Sequence, residues 1–189
     1  MATSVSICSN ALILLGQKPI ASFTEATTSA RVAANLYPDA KRDFQRAHPW
    51  NACIQRVTLA PEAAAPAFGF KSRFLLPAEC LRVLSASDEG MEFKVEGRSI
   101  LADATVLHLR YIADTDEGLW TGDMVQALTL RMAAAMAYPV AASAALGDSM
   151  AQQAERAMKR AKAVDGQEDT PEAIEDSPLY AARFPGGGW

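Results

Sequence analysis

Two histidines, three cysteines and three groups of carboxylates are the side chains of this 189-residue chain best suited to chemistry. His48 stands before Pro49, where a helix should end and a cation suits the dipole; His108 falls in a strand-like run. Neither sits at metal-ligand spacing from another His, Cys, Asp or Glu. Cys8, Cys53 and Cys80 are far apart and form no C-x-x-C pair, so they read as buried thiols of a reducing compartment. The carboxylates Asp88/Glu89, Asp114/Asp116/Glu117 and Glu168/Asp169 are neighbours in turns, the pattern of a solvated rim. A glycosidase instead needs two carboxylates facing each other across a cleft. There is no G-x-S-x-G, no G-x-x-x-x-G-K-[ST] and no G-x-G-x-x-G. Gly186-Gly187-Gly188 follows no strand and opens no helix, so it is not expected to cradle phosphate. The expectation is a protein without catalytic residues, cofactor or metal.

Charge narrows the partners. The net charge is −4 and the pI about 5.2, the wrong balance for gripping nucleic acid through displaced counterions. Such a protein could still surround DNA without binding it specifically. The basic groups Lys41/Arg42/Arg46 and Lys159/Arg160/Lys162 read as solvated or subunit-pairing helix faces. The apolar run Ala11 to Leu15 is far too short to span a bilayer, and the opening residues lack the basic stretch of a secretion signal. Synthesis and use in a cytoplasm are expected, with no membrane partner.

The elements that must position these residues are mostly helical. Half of the residues are hydrophobic, which allows a real core. Alanine, at roughly a fifth of the chain, favours helices packed closely through small side chains. Val5, Cys8, Leu12 and Leu15 trace a helix over 4–15, closed by Gly16. A second helix is predicted over 25–47, opened by a Ser22-Phe23-Thr24-Glu25 capping box. Its apolar stripe runs Ala26, Ala30, Ala33, Tyr37, Ala40, Phe44, Ala47, with Arg31, Asp39, Lys41, Arg42 and Arg46 opposite, and Pro38 kinks it. Residues 51–113 read as a β-rich insertion of six short strands, with turns at Asp88-Glu89-Gly90 and Glu96-Gly97. Two more helices are predicted over 123–145, kinked at Pro139 and stopped by Gly147, and over 149–164. From Asp165 the pattern collapses into an acidic, Pro- and Gly-rich stretch with few apolar residues. The reading is mainly α with a β-rich insertion (α+β): a four-helix bundle over residues 1–164, with a small antiparallel region between the second and third helices, and an extended C-terminal arm over 165–189.

The run Tyr37-Pro38-Asp39-Ala40-Lys41-Arg42-Asp43-Phe44-Gln45-Arg46-Ala47-His48-Pro49-Trp50-Asn51-Ala52 resembles a signature of tailed-bacteriophage head-to-tail adaptors, the tail tubular protein family. Other segments are similar in the same order. They are Leu14-Leu15-Gly16 with Pro19-Ile20, Leu76-Pro77-Ala78-Glu79-Cys80-Leu81-Arg82-Val83, Glu96-Gly97-Arg98, Leu109-Arg110-Tyr111-Ile112, and Leu130-Arg131-Met132-Ala133 with Pro139. Where that family often carries an aromatic after Asn51, this chain has Ala52.

The resemblance implies a structural virion protein at the head–tail junction. It would form a ring, typically of twelve subunits, between the portal protein and the tail tube or nozzle protein. The ring would extend the channel through which double-stranded DNA passes. It also implies that the arm reaches the portal, and Leu179, Tyr180, Arg183, Phe184 and Trp189 are the aromatic and basic residues that would bind there. Tyr37, Arg46, Trp50 and Trp120 are the candidates for subunit contacts or core anchors. An assembly chaperone or other binding module, or a tail-associated cell-wall hydrolase, are the alternatives.

Overall fold

The computed structural model describes residues 1–86 and 91–168. Helix α1 (Ser4–Leu14) starts at a reciprocal cap between Thr3 and Ser6. It ends where Gly16 takes a φ of +70° and lets its own amide and that of Gln17 satisfy the last carbonyls. Helix α2 (Thr28–Arg46) begins three residues later than the sequence pattern suggests. Glu25 does accept the amides of Ala21 and Ser22, but that box closes a separate turn. The helix is capped by Thr27, whose hydroxyl accepts from the Ala30 amide. Pro38 lies inside α2, and Ala30, Ala33, Tyr37 and Phe44 are buried on both sides of it.

Helices α3 (Gly122–Ala141) and α4 (Ala144–Gln167) meet at a different joint from the one predicted. The break is Ala142, left-handed at φ +50°, followed by Ser143, whose hydroxyl caps α4 through the Leu146 amide. Gly147 does not stop a helix. It lies in the first turn of α4, where a Cβ would touch the Ala137 Cβ at 3.5 Å. α4 also runs beyond 164, so residues 165–167 belong to the folded body and not to an arm. α3 is the helix on which α1, α2 and α4 all pack, and it buries residues around most of its circumference. That explains its broad apolar composition.

Six short strands occupy the predicted insertion among the described residues: β1 (Ile54–Leu59), β2 (Ser72–Leu75), β3 (Cys80–Ala86), β4 (Phe93–Glu96), β5 (Ser99–Ala102) and β6 (Leu107–Ala113). They form two antiparallel sheets ordered β1-β6-β3 and β2-β5-β4. Gly97, at φ +57°, opens the two-residue turn between β4 and β5, where a residue with a Cβ would be strained. The Asp88-Glu89-Gly90 turn lies outside the described residues. Strand β6 joins two cores because alternate residues face opposite ways. Leu107, Leu109, Tyr111 and Ala113 pack with Phe74 and Ile100 between the sheets, while Ile112 packs into the helical core. The described residues thus form four helices plus two small antiparallel sheets.

Candidate functional site

Two polar assemblies are built around α2, and both join segments distant in sequence. The first begins with Tyr37, Lys41 and Gln45, four residues apart and therefore on one helix face. They meet residues 114–120, which follow β6. The Tyr37 hydroxyl donates to Glu117 Oε1 at 2.7 Å. Lys41 Nζ lies 3.0 Å from Asp114 Oδ1 and 3.5 Å from Glu117 Oε1. The Gln45 amide donates to the carbonyl and hydroxyl oxygens of Thr115 at 3.2 and 3.1 Å. Thr115 Oγ1 also accepts from Trp120 Nε1 at 3.2 Å and touches Cys53 Sγ at 3.2 Å.

This geometry corrects two expectations. Asp114 and Glu117 are not a solvated rim: Glu117 is buried and Asp114 is half-buried against Lys41. Lys41 does not belong to the solvated face of α2; it lies beside Tyr37 and Gln45. Each of the three α2 side chains engages a group of the 114–120 segment, so the assembly acts as a latch. Lys41→Met is expected to destabilise by about 1–2 kcal/mol, below the range for a fully buried pair because water partly screens both partners. In a double-mutant cycle read by urea unfolding, Lys41→Met with Glu117→Gln should cost less than the two changes summed.

The thiols are held inert by the same burial. Burial pushes the Cys8 thiol up to about 12 from the ordinary 9.0, and the Glu117 charge adds to it. Burial also raises Cys53 and Cys80, opposed at Cys53 by hydrogen bonds from Thr115 and Gln45 and at Cys80 chiefly by the Arg98 charge. Tyr37 is raised by burial and by Glu117, and Tyr111 is pushed to about 12 by burial and by Glu79. Each of these groups keeps its proton longer folded than unfolded. Their contribution to stability is whole below the ordinary thiol value of 9.0 and is lost as pH climbs towards about 12. The urea midpoint is therefore expected to fall from pH 9 upward, and Cys8→Ala should shrink that fall.

The second assembly is built on His48-Pro49-Trp50-Asn51. α2 ends at Arg46, and Pro49 cannot continue it. Trp50 turns back into the core with no exposed surface and stacks on Phe44 at 5.1 Å between ring centroids. Its indole N–H donates to the Phe44 carbonyl at 3.1 Å, satisfying an orphan acceptor of the last helical turn. His48 meets the Trp50 ring edge-on at 4.6 Å. His48 Nε2 also lies 3.1 Å from Asp165 Oδ2. The Asn51 amide donates to Asp165 Oδ1 at 3.0 Å, and the Asn51 side chain donates to the Asp165 carbonyl at 2.9 Å. Asp165 is buried and lies in the last turn of α4. The turn after α2 therefore clasps the end of α4.

The other predicted residues fall as follows. Arg46 is exposed; its guanidinium donates to the Leu81 carbonyl at 2.6 Å, while Arg82 donates to the Arg46 carbonyl at 3.1 Å. These two bonds tie the end of α2 to β3. Trp120 is buried and sits 5.6 Å from Phe44, so Tyr37, Trp50 and Trp120 all belong to the core of this chain. Thr58 pairs with His108 at 3.1 Å. Leu179, Tyr180, Arg183, Phe184 and Trp189 lie outside the described residues.

Thr115 and Gln45 were not singled out by sequence, Glu117 was read as a rim carboxylate, and Asp165 was read as the start of the arm. Only Gln45 carried a signal, its four-residue spacing from Lys41 and Tyr37. Among the described residues no group of three or more His, Cys, Asp or Glu could hold a metal ion, and no helix is long and apolar enough to cross a membrane. No family model matches the chain, and no curated protein matches it significantly.

Proposed function

We propose that this chain is the subunit of a head-to-tail adaptor ring in a tailed-phage virion, a structural protein and not an enzyme. The observation that carries the reading is the clasp on Asp165. His48 and Asn51, within the Tyr37–Ala52 run that resembles the adaptor family, hold Asp165 in the last turn of α4. A rigid root is what a portal-seeking arm requires, since ordering entropy must be offset by contacts made at a defined place. In this reading the helices form a four-helix bundle, the bundles pack side by side, and the β-rich insertion meets the tail tube or nozzle protein. Double-stranded DNA then passes through the lumen without sequence-specific contacts.

A lateral surface supports the assembly. Ile13 and Leu14 of α1 are 56% and 46% exposed beside Val125 and Leu130 of α3, and together they line a hollow of about 530 Å³. A patch of this kind on one flank suits a heterologous contact, which closes into a ring when each subunit turns by the right angle.

Co-sedimentation with purified portal rings tests the reading. The full chain should bind stoichiometrically, and the chain cut after Glu168 should not. Failure of the full chain to bind would overturn the portal assignment.

A further inference from the structure

Strand β4 is an outer strand of its sheet: among the described residues β5 pairs with it and no strand lies on its other side. The sheet treats its two edges differently. Along β2 the chain after β1 closes the edge, where the Glu62 amide donates to the Arg73 carbonyl at 2.7 Å and the two side chains pair at 3.0 Å. Along β4 all four residues are exposed. The register fixes which backbone groups lie on that edge. Glu96 and Ser99 flank the two-residue turn, and the Leu76 amide donates to Arg98 from the far side, so Lys94 and Glu96 turn their amides and carbonyls to β5. Those of Phe93 and Val95 point away from it. Their side chains share a face with Ile100 and Ala102 of the core between the sheets, yet remain 38% and 45% exposed.

We propose that this edge pairs antiparallel with the same edge of a second copy, centred on Phe93, so that the two sheets join into one of six strands. The residues of the edge select the partner. Met91-Glu92-Phe93-Lys94-Val95-Glu96 alternates apolar and charged, and the charges alternate in sign along one face. Lys94 already lies 3.1 Å from Glu96 on that face. A lysine on an open edge ordinarily repels an added strand. Here the neighbouring acids turn that repulsion into a choice of register. Three registers set the outward backbone groups of the two copies against each other. Centred on Lys94, the two lysines oppose each other and Glu92 faces Glu96, so like charges meet throughout. Centred on Val95, Phe93 comes opposite Gly97, whose backbone at φ +57° has left the strand. Centred on Phe93, Glu92 faces Lys94 of the second copy twice, Met91 faces Val95 twice, and the two Phe93 rings meet. Opposite charges and apolar pairs directly across antiparallel strands are the favourable combinations.

The contact is isologous, so it adds one copy and stops. It lies apart from the Ile13 and Leu14 flank and does not rest on the adaptor assignment.

Sedimentation equilibrium of the full chain tests the pairing. A contact this small is weak, with a dissociation constant on the order of 0.1 mM, and a monomer–dimer equilibrium should appear around that concentration. Lys94→Glu lines each edge with acids and should weaken the dimer by about tenfold. Glu92→Lys added to Lys94→Glu should restore it, because the exchanged charges face each other again in the Phe93-centred register. Val95→Pro removes an outward amide and spares the bonds to β5, so it should abolish the dimer while the chain stays folded. The charge variants touch exposed side chains alone and keep the test decisive if the proline variant does not fold. A wild-type chain that stays monomeric, or a dimer indifferent to Lys94→Glu, would overturn the proposal. A dimer that Glu92→Lys does not restore would overturn the Phe93-centred pairing. None of these readouts involves portal rings, so this pairing and the adaptor reading can fail separately.

Discussion

Trp50→Ala is expected to lower the free energy of unfolding by about 3–5 kcal/mol, the range for removing a large aromatic from a filled core. Trp50 has no exposed surface, stacks on Phe44, supports the edge-on His48 ring and closes the end of α2 through its indole N–H. A domain of this size is stable by only about 5–15 kcal/mol in total, so the loss should be plain in the urea midpoint. Trp50→Phe separates the contributions. It keeps a ring against Phe44 but leaves the Phe44 carbonyl without its donor, and should cost about 1–3 kcal/mol. If the alanine variant unfolded within about 0.5 kcal/mol of wild type, Trp50 would not anchor the core. Loss of Trp50 also removes the surface against which His48 is held, so the end of α4 should loosen in the same variant. Faster hydrogen exchange at the amides of residues 161–167 would register that loosening.

What could be read in the sequence follows the range over which a pattern acts. Tyr37 and Phe44 announce the buried stripe of α2 because helical periodicity is local, and Met91 to Glu96 announce a strand because alternation is local. Gly97 marks its turn for the same reason. The misreadings come from signals decided elsewhere. Ser22 and Glu25 have the spacing of a capping box and make one of its two bonds, the Ser22 amide to the Glu25 carboxylate, yet Thr27 starts the helix. Gly147 looks like a stop, but the chain turns at Ala142, a residue without any of glycine's freedom at positive φ. Lys41 was placed on the wrong face because its partners, Asp114 and Glu117, lie more than 70 residues away. Asp165 ended the legible pattern because an acidic residue after an alanine-rich helix reads as the start of a loop. Its partners, His48 and Asn51, stand 117 and 114 residues earlier, beyond the reach of any local rule.

Asp165→Ala should therefore have an effect out of proportion to its place near the end of the described chain. It removes the acceptor of the half-buried Asn51 amide and the partner of the half-buried His48 ring. Two lost bonds to a carboxylate predict about 2–4 kcal/mol, since orphaned donors bear the full desolvation penalty. Asp165→Asn distinguishes hydrogen bonding from charge. Its side-chain oxygen can still accept from Asn51, and its amide can donate to a neutral His48. Recovery of about half the loss would make the clasp a hydrogen-bonded device; an asparagine variant as weak as alanine would assign the stabilisation to the carboxylate charge. A cost for alanine below about 0.5 kcal/mol would mean that the contact does not hold α4 at all. The same substitution separates root from arm. Under the adaptor reading, Asp165→Ala should weaken portal binding together with stability, because the last turn of α4 then loses its hold on the Asn51 turn. Leu179→Ser with Tyr180→Ser should weaken portal binding and leave the urea midpoint of the folded body unchanged. Portal binding that survived both variants would place the anchor on the body, where Ile13 and Leu14 offer the exposed apolar surface.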